Sequence, residues 1–172
     1  MVLAAVSASF GFVLFASGVV KLRTPDPTQV ALAAFRMPST RWAAQVLGGV
    51  EVLVGALVLF FGGVVQLAGG ALYVGFTAAV APIVLGRIDL ASCGCFGDRS
   101  TKPGYIHLVV NGAGAVVFFW MYIGAFDPFV VAGRGSGTAA GLGWSLAVLL
   151  CALAIMIMLT RGAILERRTD SS

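Results

Sequence analysis

Two of the three cysteines in this chain stand one residue apart, in LASCGCFGDRS, residues 90–100. A disulfide closed across Cys-x-Cys is strained, because the Cα spacing and Cβ directions fit a relaxed bridge poorly. Strain raises the reduction potential, so such a bond passes its oxidation on. Gly94 and Gly97 supply the backbone freedom that so small a ring needs. The chemistry expected of Cys93 and Cys95 is therefore thiol–disulfide exchange. Metal binding is the alternative, but a closed zinc site takes four ligands. The chain has one histidine, His107, and the nearest carboxylate is Asp98. No metal site is assigned, and there is no Cys-x-x-Cys-His for covalent haem. A third reading makes the pair small residues in a turn. Cys151, in the middle of an apolar run, reads as an inert packing residue.

Four further polar residues fall where chemistry could use them. His107 and Asn111 are four apart, on one helical face. A histidine near the cysteines would lower a thiol pKa or carry protons during exchange; otherwise it only hydrogen-bonds at the interface. Glu51 lies deep in an apolar run, where an ionisable group is costly and has a partner or a task. It sits about nine residues inside its run, roughly 13 Å at helical rise. Lys21, at the end of the first run, is the cation placed to pair with it.

The elements that must position these residues are membrane spans. The 172-residue chain is 59% hydrophobic and 10% charged, against about a quarter charged in soluble domains. Its mean hydropathy is +1.00. Such a chain cannot cover a particle in water, and its solvent is lipid. Five runs approach the ~20 residues that a helical span needs: Val2–Val20, Trp42–Phe61, Val64–Leu85, Tyr105–Ile123 and Leu142–Thr160. None alternates as barrel strands do. The expected fold is all-α, an integral membrane bundle of four core helices, residues 1–123. A flexible connector follows (124–141), then a fifth helix (142–160) and a polar tail (161–172). The first run has no basic leader before it and no clear small-x-small site after it, so it reads as a retained helix.

Aromatic residues Trp42, Tyr105, Trp120, Tyr122 and Trp144 fall near run ends, in the headgroup zone. Pro25 and Pro27 can open a short helix between the first two spans, with an apolar middle at Val30–Phe35, and Pro38 can end it. Gly62-Gly63 forces the second and third spans into an antiparallel hairpin. Glycines at 48, 55, 62 and 69, with neighbours at 49, 63 and 70, read as packing surface. A basic patch interleaved with aromatics is absent, which excludes nucleic acid as a partner.

Two crossings return a chain to the side it left, so the 21–41 and 86–104 loops share one face. Under five spans, ten of the eleven basic residues lie on that face, with Arg134 opposite. The positive-inside rule assigns it to the cytoplasm. Oxidising thiol chemistry belongs on the other side, and on that ground the outer face is favoured for the cysteines.

FASGVVKL, GGVEVLVG and CGCFGD, followed by an aromatic and polar start to the fourth span, resemble the MauE/DoxX-like family of membrane proteins. The resemblance covers about residues 8 to 120, and its most specific part is the CGCFG element. It implies a small helical bundle in the cytoplasmic membrane, linked to methylamine utilisation and to maturing a disulfide-rich periplasmic subunit beside a thioredoxin-like partner. On it, Cys93 and Cys95 are the redox pair, and Lys21, Glu51, His107 and Asn111 match recurring polar positions. Val110 stands where the family pattern has an arginine. The expected function is a membrane thiol–disulfide oxidoreductase acting on a thioredoxin-like or secreted disulfide-containing protein. If electrons leave through the bilayer, a quinone is the natural acceptor. The alternatives are a non-catalytic scaffold subunit, and a metal- or small-solute-handling protein built around Glu51.

Overall fold

The computed structural model describes residues 2–88, 103–128 and 145–157. Every regular element among them is a helix: α1 (Val2–Arg23), α2 (Asp26–Ala34), α3 (Arg41–Leu57), α4 (Val64–Val84), α5 (Tyr105–Ile123) and α6 (Ser145–Ile157). Helices α1, α4 and α5, of 22, 21 and 19 residues, are long and apolar enough to cross a membrane. The protein is an all-α, multi-pass membrane protein.

The second apolar run is helical only to Leu57. Beyond it Leu59 and Phe60 donate to the carbonyls three residues back, so the chain tightens before Gly62. Gln66, fully buried, donates from Nε2 to the Val58 and Phe61 carbonyls, which the helix itself leaves unpaired. The described part of α6 covers 13 residues, within the expected 142–160.

Helices in lipid gain nothing from hiding apolar surface from one another, so close approach has to hold them together. Between α1 and α3 glycine supplies it. A Cβ on Gly18 would stand 2.5 Å from the Gly48 carbonyl oxygen, and one on Gly55 would stand 2.6 Å from that of Gly11. Gly11 and Gly18 are seven apart, as are Gly48 and Gly55, so the two helices touch backbone to backbone once every two turns, antiparallel. Between α4 and α5 the glycines make room for rings instead: Gly69 meets Phe118, Gly70 meets Phe119 and Gly114 meets Tyr73. The expectation of glycine as packing surface fails at Gly49, where an added Cβ would meet nothing, and at Gly63, whose φ of 60° makes the turn into α4.

Those contacts set the topology. Helix α1 packs chiefly on α3 and α4 chiefly on α5, while α3 and α4, joined by the short turn, touch each other less. The pairs meet at Tyr73, whose hydroxyl donates to the Phe10 carbonyl at 2.9 Å. Its ring stacks on Phe118 and meets Phe10 edge-on. Val148 packs with Ala5 and Ala8, and Ala152 with Val13, so α6 runs alongside α1 in the same direction. The C-terminal ends of α1 and α4 and the N-terminal ends of α3 and α5 therefore share one face.

Helix α2 lies at that face. Pro25 caps it and Pro27 sits in its first turn. It ends earlier than Pro38 requires: Met37 and Arg36 donate to the Leu32 and Ala33 carbonyls, with Arg36 left-handed at φ 57°. This is a Schellman stop in which arginine takes the position usual for glycine. Trp42, Tyr105 and Trp120 are all exposed, and they sit near helix ends.

Candidate functional site

Side chains on a helix tilt toward its N-terminus. Lys21, near the end of α1, therefore reaches back into the bundle, while Glu51 on antiparallel α3 reaches up to meet it. Lys21 Nζ lies 2.8 Å from Glu51 Oε2, with side-chain exposures of 3% and 0%. It also donates to Ser17 Oγ, one turn back, at 2.7 Å, and stands 5.5 Å from the centre of the Phe76 ring on α4. Gly18 and Gly48 let the two backbones close over this pair. In a low-dielectric interior the two charges cancel, and Ser17 and the ring face meet part of what the ammonium loses in leaving water. Glu51 Oε1 has no hydrogen-bond partner among the described residues.

His107 and Asn111 occupy the first two turns of α5, both buried. His107 Nδ1 accepts from the Gly104 N–H at 3.3 Å, and the His107 N–H donates to the Gly104 carbonyl at 3.0 Å. With Nδ1 an acceptor, the neutral ring carries its proton on Nε2. The imidazole is thereby fixed at the start of α5, five residues after the 89–102 segment that holds the cysteines.

Cys93 and Cys95 lie outside the described residues. The structure thus brings Lys21 and Glu51 into contact, sets His107 and Asn111 at the same end of the bundle, and leaves the cysteine pair to the 89–102 segment between α4 and α5. Cys151 is a free thiol exposed on the outside of α6. It is not packed between helices; its neighbour Ala152 takes that place. Among the described residues no three His, Cys, Asp or Glu side chains gather as a metal site.

Two partners of Lys21, Ser17 and Phe76, escaped the sequence reading, as did the buried Gln66 at the opposite end of the bundle. Ser17 was legible, since four residues before a lysine on one helix is hydrogen-bonding distance. Gln66 carried the same signal as Glu51, a polar side chain inside an apolar run. Phe76 carried none, because its place over Lys21 depends on how α4 is rotated against α1.

Comparison with known proteins adds the family. Searches of curated proteins and of solved structures return no match. The family model of methylamine utilisation protein MauE matches residues 1–124, ending at the residue that caps α5. It spans all of α1–α5 and both polar positions, and leaves α6 outside. With nearly three quarters of its length matched, the chain belongs to the MauE family of membrane proteins.

Proposed function

We propose that this protein is a membrane thiol–disulfide exchanger that supports disulfide formation in a partner protein through Cys93 and Cys95. The observation that carries the reading is the Cys-Gly-Cys element in the segment joining α4 to α5, in a family linked to methylamine utilisation. Both helices reach that segment at the face where His107 is fixed.

The exchange balances as follows. A partner thiolate attacks one sulfur of the Cys93–Cys95 disulfide; an S–S bond forms to the partner as the intramolecular one breaks. The partner's second thiolate then attacks the mixed disulfide and leaves with its own disulfide. Two electrons and two protons remain on Cys93 and Cys95. Reoxidation of the dithiol passes them to a two-electron acceptor, and in a bilayer a quinone reduced to its quinol serves. His107 Nε2 is the group near that face suited to move a proton between thiol and solvent.

The partner class that fits is a thioredoxin-like or secreted protein with paired cysteines, and the setting is the cytoplasmic membrane with the cysteines outward. The test is a trapping experiment. Cys93→Ser and Cys95→Ser single variants are expressed with Cys151→Ala, and extracts are run without reductant. One of the two should accumulate a partner in mixed disulfide, released by dithiothreitol, while the double variant accumulates none. If neither single variant traps a partner and the double variant still supports the partner's disulfides, the scaffold reading takes its place.

A further inference from the structure

Beside the Lys21–Glu51 pair the bundle is not filled. A cavity of about 460 Å³ lies under α2, between it and α3 and α4, within the roughly 300–1,000 Å³ typical of small-molecule sites. Small residues on α4 open it: Ala71, Gly75, Ala78 and Ala79 line the wall, and a Cβ added at Gly75 would meet nothing within 4 Å. Two rings face the space, Phe35 and Phe76, and among the described residues that line it Lys21 is the one that carries a charge. Ala71, Gly75 and Ala78 on this wall are exposed, on a helix long and apolar enough to cross a membrane, so the cavity is open on its α4 side rather than sealed.

The chemistry of an occupant follows from these walls. Lys21 donates to Ser17 and Glu51, and for its third N–H the described residues offer no stronger acceptor than the face of the Phe76 ring, 5.5 Å from Nζ to its centre. Its charge is already cancelled by Glu51 at 2.8 Å. An anionic headgroup would bring an uncompensated charge into an apolar cavity, which is strongly unfavourable. A neutral carbonyl takes the donor at no such cost. Flat aromatic walls favour a ring over a branched chain, and the opening on the α4 side suits an apolar tail.

We infer that this cavity binds a lipophilic, uncharged ring carbonyl of the quinone class, with a carbonyl oxygen accepting from Lys21 Nζ and the ring against Phe76. The binding site rests on the cavity and not on the cysteines; only its use as the electron acceptor rests on the exchange reading. Helix α2 then acts as the roof of the site, which gives the short interfacial helix a purpose beyond linking two spans.

The experiment measures binding of a short-tailed decyl-benzoquinone to the purified full chain in nanodiscs, read by displacement of a photoreactive azidoquinone. Excess diacyl phospholipid and oleate serve as competing lipids. All proteins carry Cys93→Ser and Cys95→Ser, so failure of the exchange reading leaves the result untouched. The expected outcome is saturable labelling of peptides from α2 and α4, displaced by the quinone and not by either lipid. Gly75→Leu, which fills open space, and Lys21→Met should each weaken binding at least tenfold. Gly112→Leu, on α5 where an added Cβ also meets nothing, should leave it unchanged. Equal binding by Gly75→Leu overturns the site. Equal displacement by phospholipid or oleate overturns the ligand class, and the cavity is then an acyl-chain groove.

Discussion

At the scale of single residues, the central feature is an ion pair held where lipid would otherwise be. Glu51 was visible in the sequence as a charge that an apolar run should not contain, and Lys21, where the first run reaches the shared face, as the cation placed to pair with it. The contact with Phe76 depends on how α4 is turned against α1, which only the packed helices fix. Removing one partner strands the other charge, and for buried pairs that costs about 3–5 kcal/mol. Glu51→Gln and Lys21→Met should each lower the thermal midpoint of the purified protein, measured in detergent by circular dichroism. The double variant Lys21→Met/Glu51→Leu should recover most of that loss, because no charge is then left unpaired. A double variant as unstable as the sum of the singles would count against the pair as a closed unit. His107 belongs to the same scale. If it carries protons during exchange, His107→Ala should slow turnover by about 10²-fold and flatten the pH profile near neutrality, with helix content unchanged. An unaltered pH profile would reduce it to the cap of α5 that its bond to Gly104 already makes it.

At the scale of helices, the structure separates glycines that the sequence could only list together. The repeat at 48, 55, 62 and 69 is regular along the chain, yet its members do three different things. Gly48 and Gly55 press on the α1 backbone, Gly69 faces the Phe118 ring, and Gly62 lies in the turn before α4. Which glycine does which depends on helix rotation, and spans of uniform apolarity carry little record of rotation. Gly18→Ala should force α1 from α3, since its Cβ would meet the Gly48 carbonyl and the Val52 nitrogen at 2.5 and 2.8 Å. Backbone cannot yield there as a side-chain tip can, so a loss of about 1–3 kcal/mol is expected. Gly49→Ala, on the open side of α3, should be neutral or slightly stabilising through helix propensity. Denaturation of the two variants side by side checks both, and equal effects would refute the close approach. The helix boundaries were legible at α1, α4 and α5 to within a few residues. At α2 the stop came earlier than Pro38, because Arg36 adopts the left-handed turn that a sequence reader expects of glycine.

At the scale of the whole molecule, membrane class and helical architecture were written in the composition, and the shared face of the two loops followed from counting crossings. The order of packing was not, since nothing in the sequence says that α1 leans on α3 and α4 on α5. Helix α6 stands apart, beyond the family match, and covers Ala5, Ala8 and Val13 on α1. In lipid those residues lose little when uncovered. A chain ending at Phe126 should therefore keep its fold and its exchange activity, with a midpoint within a few degrees of the full chain. Collapse of the truncated protein would make α6 part of the core. Orientation remains the sharpest point of tension. The described basic residues gather at the cysteine-side face, which the charge rule reads as cytoplasmic. Lys21 drops out of that count, being buried and neutralised by Glu51, and oxidising chemistry favours the outside. The most direct test labels Cys93 and Cys95 in intact cells with a membrane-impermeant maleimide, in a Cys151→Ala background, before and after an impermeant reductant. Labelling only after reduction is the predicted result, for an outward-facing disulfide. Free thiols reached only once the cells are permeabilised would contradict it, and the exchange reading would fall.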